Sequence, residues 1–329
     1  MEWDDGNTVL DLTSALTPWL RSGHATSLVF DNITSSLVEG LPAALALAPS
    51  LTRLEIIDSD KVIDVLLTSQ TRLSSVTQLK VRVNGNTTSN ELRLVKLLSM
   101  DKVTGLDFCG HMAQNGRMAQ DVSSILATLP RLPALQELSL KAYALRNVST
   151  TLKGSSALHT LDLCVIKMGS PMTRIAFLDF MARCPVLDRV SIVSSCLIDA
   201  SQASLGDALA RCFRHATSLR HVTLHRYDLD AACAAVLATA LAGRTHPVRI
   251  EVADYDTLTQ DGFEQLAAAA GRSVGGVVEL TYYDSCRYID KDYDRFTTTT
   301  LADTYRVRVS ATRTMLGTDY RLASLREAN

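Results

Sequence analysis

An apolar residue, two variable positions, a second apolar residue, one variable position and a third apolar residue recur eleven times between Ala25 and Val309. The clearest copies are Leu135-Leu138-Leu140, Leu158-Leu161-Leu163, Leu187-Val190-Ile192 and Leu219-Val222-Leu224; the copy opening on Thr304 is the loosest. With the first slot as anchor, copies begin at Ala25, Leu51, Val76, Val103, Leu135, Leu158, Leu187, Leu219, Pro247, Val277 and Thr304, in steps of 23 to 32 residues. A fixed motif at a near-fixed period marks stacked units, none of which buries its apolar face alone.

The second and third apolar slots lie two residues apart, which is strand spacing, so both point to one face and the residues between them to the other. Segments of helical periodicity follow most copies: Leu37–Leu47, Val62–Leu67, Leu92–Leu98, Val122–Leu129, Ile175–Met181, Leu205–Phe213, Ala231–Leu241 and Phe263–Ala270. Strand, turn, helix and return in about 30 residues predict an α/β fold with parallel neighbouring strands and helices on one side. Helices need more room than strands, so the stack is expected to curve into a horseshoe, with strands on its concave face and helices on its convex face.

The pattern L-x-x-L-x-L with an intervening helix resembles the leucine-rich repeat, in its ribonuclease-inhibitor-like class. The resemblance covers roughly residues 20 to 310 and implies a solenoid of about 10–11 repeats. That family places Asn or Cys eight or nine residues after the anchor, where the side chain bonds turn backbone groups. Asn84 fits and Cys196 fits one residue later, but Tyr143, Tyr227 and Tyr255 hold the slot elsewhere, so irregular turns without a polar ladder are expected. The 23-residue step from Leu135 to Leu158 leaves room for little helix between Lys141 and Ala157.

The expected organisation is a helical lead-in over residues 1–24, repeats over 25–310 and a tail over 311–329. Asn7 to Arg21 reads as the lead-in helix, with Pro18 in its first turn and Trp19 and Leu20 closing the first core layer. Tyr282 to Thr300 reads as a polar, Tyr-rich loop, Thr304 to Ser310 as a final edge strand, and the stretch from Ala311 as a tail outside the repeats.

A composition 47% hydrophobic and 21% charged supports a continuous core, and a net charge of −2 lacks the concentrated basic face that nucleic acid or an anionic membrane requires. No apolar stretch reaches the roughly 18 residues of a membrane span. The acidic start Met1-Glu-Trp-Asp-Asp carries no secretory pattern, and seven cysteines without paired spacing fit reduced thiols; a cytoplasmic or nuclear protein is expected. In that setting the glycosylation patterns at Asn32, Asn86 and Asn147 read as chance matches.

The chain holds no C-x-x-C, H-E-x-x-H, G-x-G-x-x-G, G-x-S-x-G or Walker loop. His221 and His225 would share a helix face, but the repeat phase puts them on a strand, where four residues span about 13 Å, too far for one zinc ion. Cys109 and Cys164 share a slot two repeats apart, at nearly 10 Å by strand spacing and beyond disulfide reach. Cys184, Cys212 and Cys233 read as small core residues. Asp107 and Asp162 also share a slot two repeats apart, without the sugar-stacking aromatics of a glycosidase. The sequence therefore predicts no enzyme, no cofactor and no metal.

The residues two, four and six positions after each anchor face away from the leucines. Early repeats present Arg53, Glu55, Gln78, Lys80 and Arg82; middle repeats Asp107, Glu137, Lys141 and Asp162. Later repeats present Arg189, His221, His225, Arg249, Glu251, Glu279, Tyr283, Arg306 and Arg308, interleaved with small residues such as Ser191 and Thr223. Arg and Tyr often anchor protein interfaces, so this later cluster is the predicted partner-binding site. The alternative for each residue is a charge paired across strands on a solvated face, as Lys141 with Asp162.

The expected function is a monomeric, non-catalytic scaffold that binds a partner protein on the concave face. Resemblance to the substrate-recognition half of F-box proteins implies a ubiquitin-ligase adaptor as an alternative, although no F-box fits ahead of Ala25. A third reading is an inhibitor that wraps an enzyme, as the ribonuclease-inhibitor family does; that family is richer in cysteine and more acidic.

Overall fold

The computed structural model describes residues 12–34, 38–82, 90–110, 121, 123–193, 201–225, 231–242, 246, 248–253, 278–284, 300–301, 305–314 and 317–326. It is an α/β protein in which helices alternate with parallel strands, divided into two compact units, Met1–Gln120 with Arg131–Ala142 and Asp121–Pro130 with Tyr143–Asn329.

The first unit runs α1 (Leu12–Arg21), β1 (Ser27–Asp31), α2 (Leu41–Ala46), β2 (Arg53–Ile57), α3 (Asp60–Ser69), β3 (Gln78–Arg82), α4 (Asn90–Val95) and β4 (Gly105–Cys109), and takes in the start of β5 (Glu137–Leu145). Neighbouring strands pair parallel, slot on slot: Ser27, Arg53, Gln78, Gly105 and Glu137 form one row and Val29, Glu55, Lys80, Asp107 and Ser139 the next. Every strand thus begins two residues after its anchor, and a one-residue slip would turn the leucines outward.

The second unit contains α5 (Ser123–Thr128), β6 (Thr160–Met168), α6 (Pro171–Ala182), β7 (Arg189–Val193), α7 (Ala203–His215), β8 (His221–His225), α8 (Ala231–Ala242), β9 (Val248–Ala253) and β10 (Val278–Asp284). Strands β6 to β10 repeat the parallel register. Then come β11 (Thr300–Leu301), β12 (Tyr305–Thr314) and β13 (Gly317–Arg326).

All three apolar slots of every copy from Leu51 to Leu219 are buried. Each buried leucine contributes roughly 1.5–3 kcal/mol relative to exposure. In the second unit Val190, Ile192, Val222 and Leu224 meet Leu178 and Met181 of α6, Leu209 and Phe213 of α7 and Leu237 of α8 around an apolar cavity of about 20 Å³. That is room for about one water and no ligand. Cys184, Cys212 and Cys233 are buried, as expected of small core residues, and burial pushes the Cys184 thiol up to about 11.

Four expectations change. Pro18 lies inside α1 rather than in its first turn, and Trp19 is 41% exposed while Leu20 alone of the pair is fully buried. The final strand continues past Ser310 to Thr314, and β13 carries the chain on to Arg326, so a strand occupies most of the stretch read as a tail. The third is its placement: β13, not β12, pairs with β10, and antiparallel. β12 and β13 are antiparallel and close in sequence, as a hairpin connection allows, whereas another parallel rung would need a crossover. Finally, the turns are not uniformly irregular. The N–H groups of Asn32, Asp58 and Gly110, each seven residues after an anchor, donate to the strand carbonyl six residues after the next anchor, from Ile57, Arg82 and Lys141, all at 2.9 Å. Asn32 and Asp58 adopt positive φ (54° and 48°), which Asn and Asp tolerate better than other side-chain-bearing residues.

Hydroxyls, and not a regular ladder of Asn or Cys, tie consecutive repeats together. Ser59, eight residues after Leu51 and fully buried, accepts from the Ile33 N–H at 2.8 Å and donates to the Ile57 carbonyl at 2.8 Å. Thr52, Thr77 and Thr104 each stand one residue after an anchor, and their hydroxyls donate to the carbonyls of Thr26, Thr52 and Thr77 at 3.1–3.3 Å. In the second unit Thr173 donates to the Arg146 carbonyl at 2.7 Å. The Asp121 carboxylate accepts from the Ser123 hydroxyl, the Ser123 N–H and the Arg146 N–H. Burial pushes that carboxyl up, and these bonds with the Arg146 charge outweigh it, holding it below the usual range. No helix forms between β5 and β6, in keeping with the short step. Asn84, Cys196, Tyr227, Tyr255 and the helical stretch Phe263–Ala270 lie outside the described residues.

Ser59→Ala removes both bonds and strands a turn N–H, so it is expected to cost about 1–3 kcal/mol in chemical denaturation. A loss indistinguishable from zero would show that the hydroxyl does not tie the two turns. Asp60 carries the opposite sign: burial, then Asp64, then Asp58 raise its carboxyl. Its charge opposes folding at neutral pH, and that penalty is relieved as pH falls through the raised folded value. Asp60→Asn is expected to raise the melting temperature at pH 7, with the gain shrinking in acid.

Candidate interaction face

Strand alternation places the slots two, four and six residues after each anchor on the face opposite the leucines. In the first unit these slots form a charged grid built around Glu55. Its residue is only 8% exposed, yet both carboxylate oxygens are engaged. Arg53 donates to Oε1 from Nε at 2.8 Å and again from Nη2, while Lys80 Nζ lies 3.1 Å from Oε2. Burial pushes the Glu55 carboxyl up, but the bonds and charges of Lys80 and Arg53 more than offset this and hold it below its ordinary range. One carboxylate so placed relieves the repulsion between cations on neighbouring strands.

The predicted later cluster falls partly into register. Arg189, His221, Arg249 and Glu279 occupy one row across β7, β8, β9 and β10. Arg189 is exposed, its Nε 3.3 Å from Asp188 Oδ2, and His221 is half-buried. Thr223, Glu251 and Thr281 form the middle row; His225, Ala253 and Tyr283 the far one. His221 and His225 open and close β8, as the strand reading required. Arg306 and Arg308 do not extend these rows. They lie on β12 opposite Leu325 and Ala323 of β13, which separates them from β10. For His225, Arg249, Glu251, Glu279, Tyr283, Arg306 and Arg308 the structure describes the backbone placement alone.

Sequence phase located the face but ranked the later repeats above the earlier ones. Arg53-x-Glu55 with Lys80 one repeat on was the available signal for the first unit: an acid flanked by two bases in register. Among the described residues, no group of three or more His, Cys, Asp and Glu side chains is disposed to hold a metal ion, and no helix is long and apolar enough to cross a membrane.

The Glu55 cluster predicts a pH dependence. A depressed carboxylate contributes stability that is present above its unfolded pKa, about 4.3, and lost as pH falls through the lower folded value. Acid titrations of unfolding free energy should therefore be shallower below about pH 4.5 for Glu55→Gln than for the natural chain. Superimposable titrations would mean that the cluster contributes nothing to folding.

The chain matches no protein-family model and no curated protein.

Proposed function

We propose that this protein is a non-catalytic leucine-rich-repeat scaffold of the ribonuclease-inhibitor-like class, and that it binds a partner protein on its strand face. The observation that carries this reading is the slot-on-slot register: strands pair one per repeat, the apolar slots are buried, and the alternate slots gather polar side chains into rows. Such rows offer Arg, His and Glu at a strand spacing of about 4.8 Å, a pitch suited to reading a folded surface or an extended segment.

Affinity purification from cell extract with quantitative mass spectrometry tests the reading. Arg189→Glu combined with Arg249→Glu reverses two positions of one row; Arg211→Glu, on α7 beside Asp179, is the control away from the strands. A partner recovered by the natural chain should fall at least tenfold with the double variant and persist with Arg211→Glu. Equal recovery by all three folded proteins would sink the strand face as the binding surface. Recovery of a cullin with its linker would replace the plain scaffold by a ubiquitin-ligase adaptor, and one stoichiometric enzyme would replace it by an inhibitor.

A further inference from the structure

We infer that the rim formed by the connections into β6, β7 and β8 is a docking surface for an acidic segment of the partner protein. This rests on the protein-binding reading above and adds the charge of the segment bound.

In the first unit Thr52, Thr77 and Thr104 stand one residue after their anchors, and each hydroxyl ties its repeat to the one before. In the second unit the same slot holds His159, Asp188 and Arg220. The backbone link survives the exchange. The Asp188 N–H donates to the His159 carbonyl at 2.9 Å and the Arg220 N–H to the Asp188 carbonyl at 2.8 Å, as the Thr77 N–H does to the Thr52 carbonyl at 2.9 Å. Main-chain bonds therefore hold the register in both units, and the second unit gives up a hydroxyl bond for solvent-facing ionisable side chains. Packing does not account for that exchange.

The rim so formed is cationic. Arg189 and His221 open β7 and β8 beside this slot, and Arg183 and Arg214 stand exposed where α6 and α7 end. Against Arg183, Arg189, Arg214 and Arg220 the three connections set a single acid, Asp188, which Arg189 engages at 3.3 Å. A pair as exposed as this contributes little and leaves Arg189 open to a second carboxylate. Arg220 spends part of its guanidinium on the Thr217 carbonyl, at 3.1 Å. Cations at a helix C-terminus offset its exposed carbonyls, which explains Arg183 and Arg214. That effect does not reach Arg189 and Arg220, which stand at the strand end of the connections. The whole-chain charge of −2 conceals this local excess.

Arginine engages carboxylates through paired N–H groups, so the rim suits a segment rich in Asp or Glu. Its three connections carry no exposed aromatic ring on which a nucleobase could stack, which favours carboxylates over a single-stranded nucleic acid.

Fluorescence anisotropy of a labelled Glu-Ala-Glu-Ala-Glu-amide peptide in low-salt buffer tests the rim, with the Lys-Ala-Lys-Ala-Lys-amide peptide and an oligothymidine as counter-probes. Saturable binding is expected of the acidic peptide alone, weakening as salt is raised. Arg189→Gln combined with Arg220→Gln should weaken it about fivefold or more, with no change in melting temperature. Arg189→Lys with Arg220→Lys, which keeps the charge, should bind more tightly than the glutamine pair. Arg72→Gln, exposed in the connection into β3, should change nothing. Absence of saturable binding to the natural chain, or equal weakening by Arg72→Gln, overturns the rim; equal binding of the oligothymidine overturns its assignment to protein carboxylates. If the acidic peptide fails but the Arg189→Glu/Arg249→Glu variant still releases a partner, the rim falls and the scaffold reading stands. If both fail, the two fall together.

Discussion

Everything in this protein depends on parallel strands held in one register by apolar side chains spaced three and two residues apart. Because side chains alternate along a strand, that register assigns every strand residue to one of two environments. Leu54 and Ile56 go to the core and Arg53 and Glu55 to the outer face, and the burial of the apolar slots repeats at each rung from Leu51 to Leu224. A repeat has too little apolar surface to stand by itself, so the stacking energy and the geometry of the face come from the same contacts.

The outer face then has an electrostatic problem that a repeat creates for itself. Equivalent positions lie about 4.8 Å apart, and like charges there repel. The first unit relieves this with Glu55, which engages Arg53 on its own strand and Lys80 on the next. The solution is local and incomplete. Lys80 pairs with Glu55, and Asp107, in register on its other side, keeps a buried oxygen without a hydrogen-bond partner among the described residues.

The turns show how little identity matters compared with hydrogen-bonding capacity. Where Asn or Cys is expected eight or nine residues after an anchor, this chain uses Ser59 at one such slot, and threonines one residue past the anchors link consecutive repeats. A short side chain with an oxygen is what the geometry requires, since a buried turn N–H left alone costs more than the bond itself contributes. A search for Asn and Cys passes over these residues; a search for any short polar side chain at a fixed offset would find them.

Periods of 3.6 and 2 in the sequence already assign the rung spacing, the α/β alternation, the burial of the three apolar slots from Leu51 to Leu224 and the positions that share the outer face, though not the exposure of Trp19. It also placed His221 and His225 on a strand and anticipated the missing helix after Lys141. Which of the face charges pair is set by packing in three dimensions. Lys80 has two acids within reach of its register position, and the choice of Glu55 over Asp107 depends on side-chain geometry that no period encodes. The chain's end was likewise beyond the pattern. An apolar triplet at Thr304 reads the same in a parallel rung and in an antiparallel hairpin, and the strand partner, β13 rather than β10, distinguishes them.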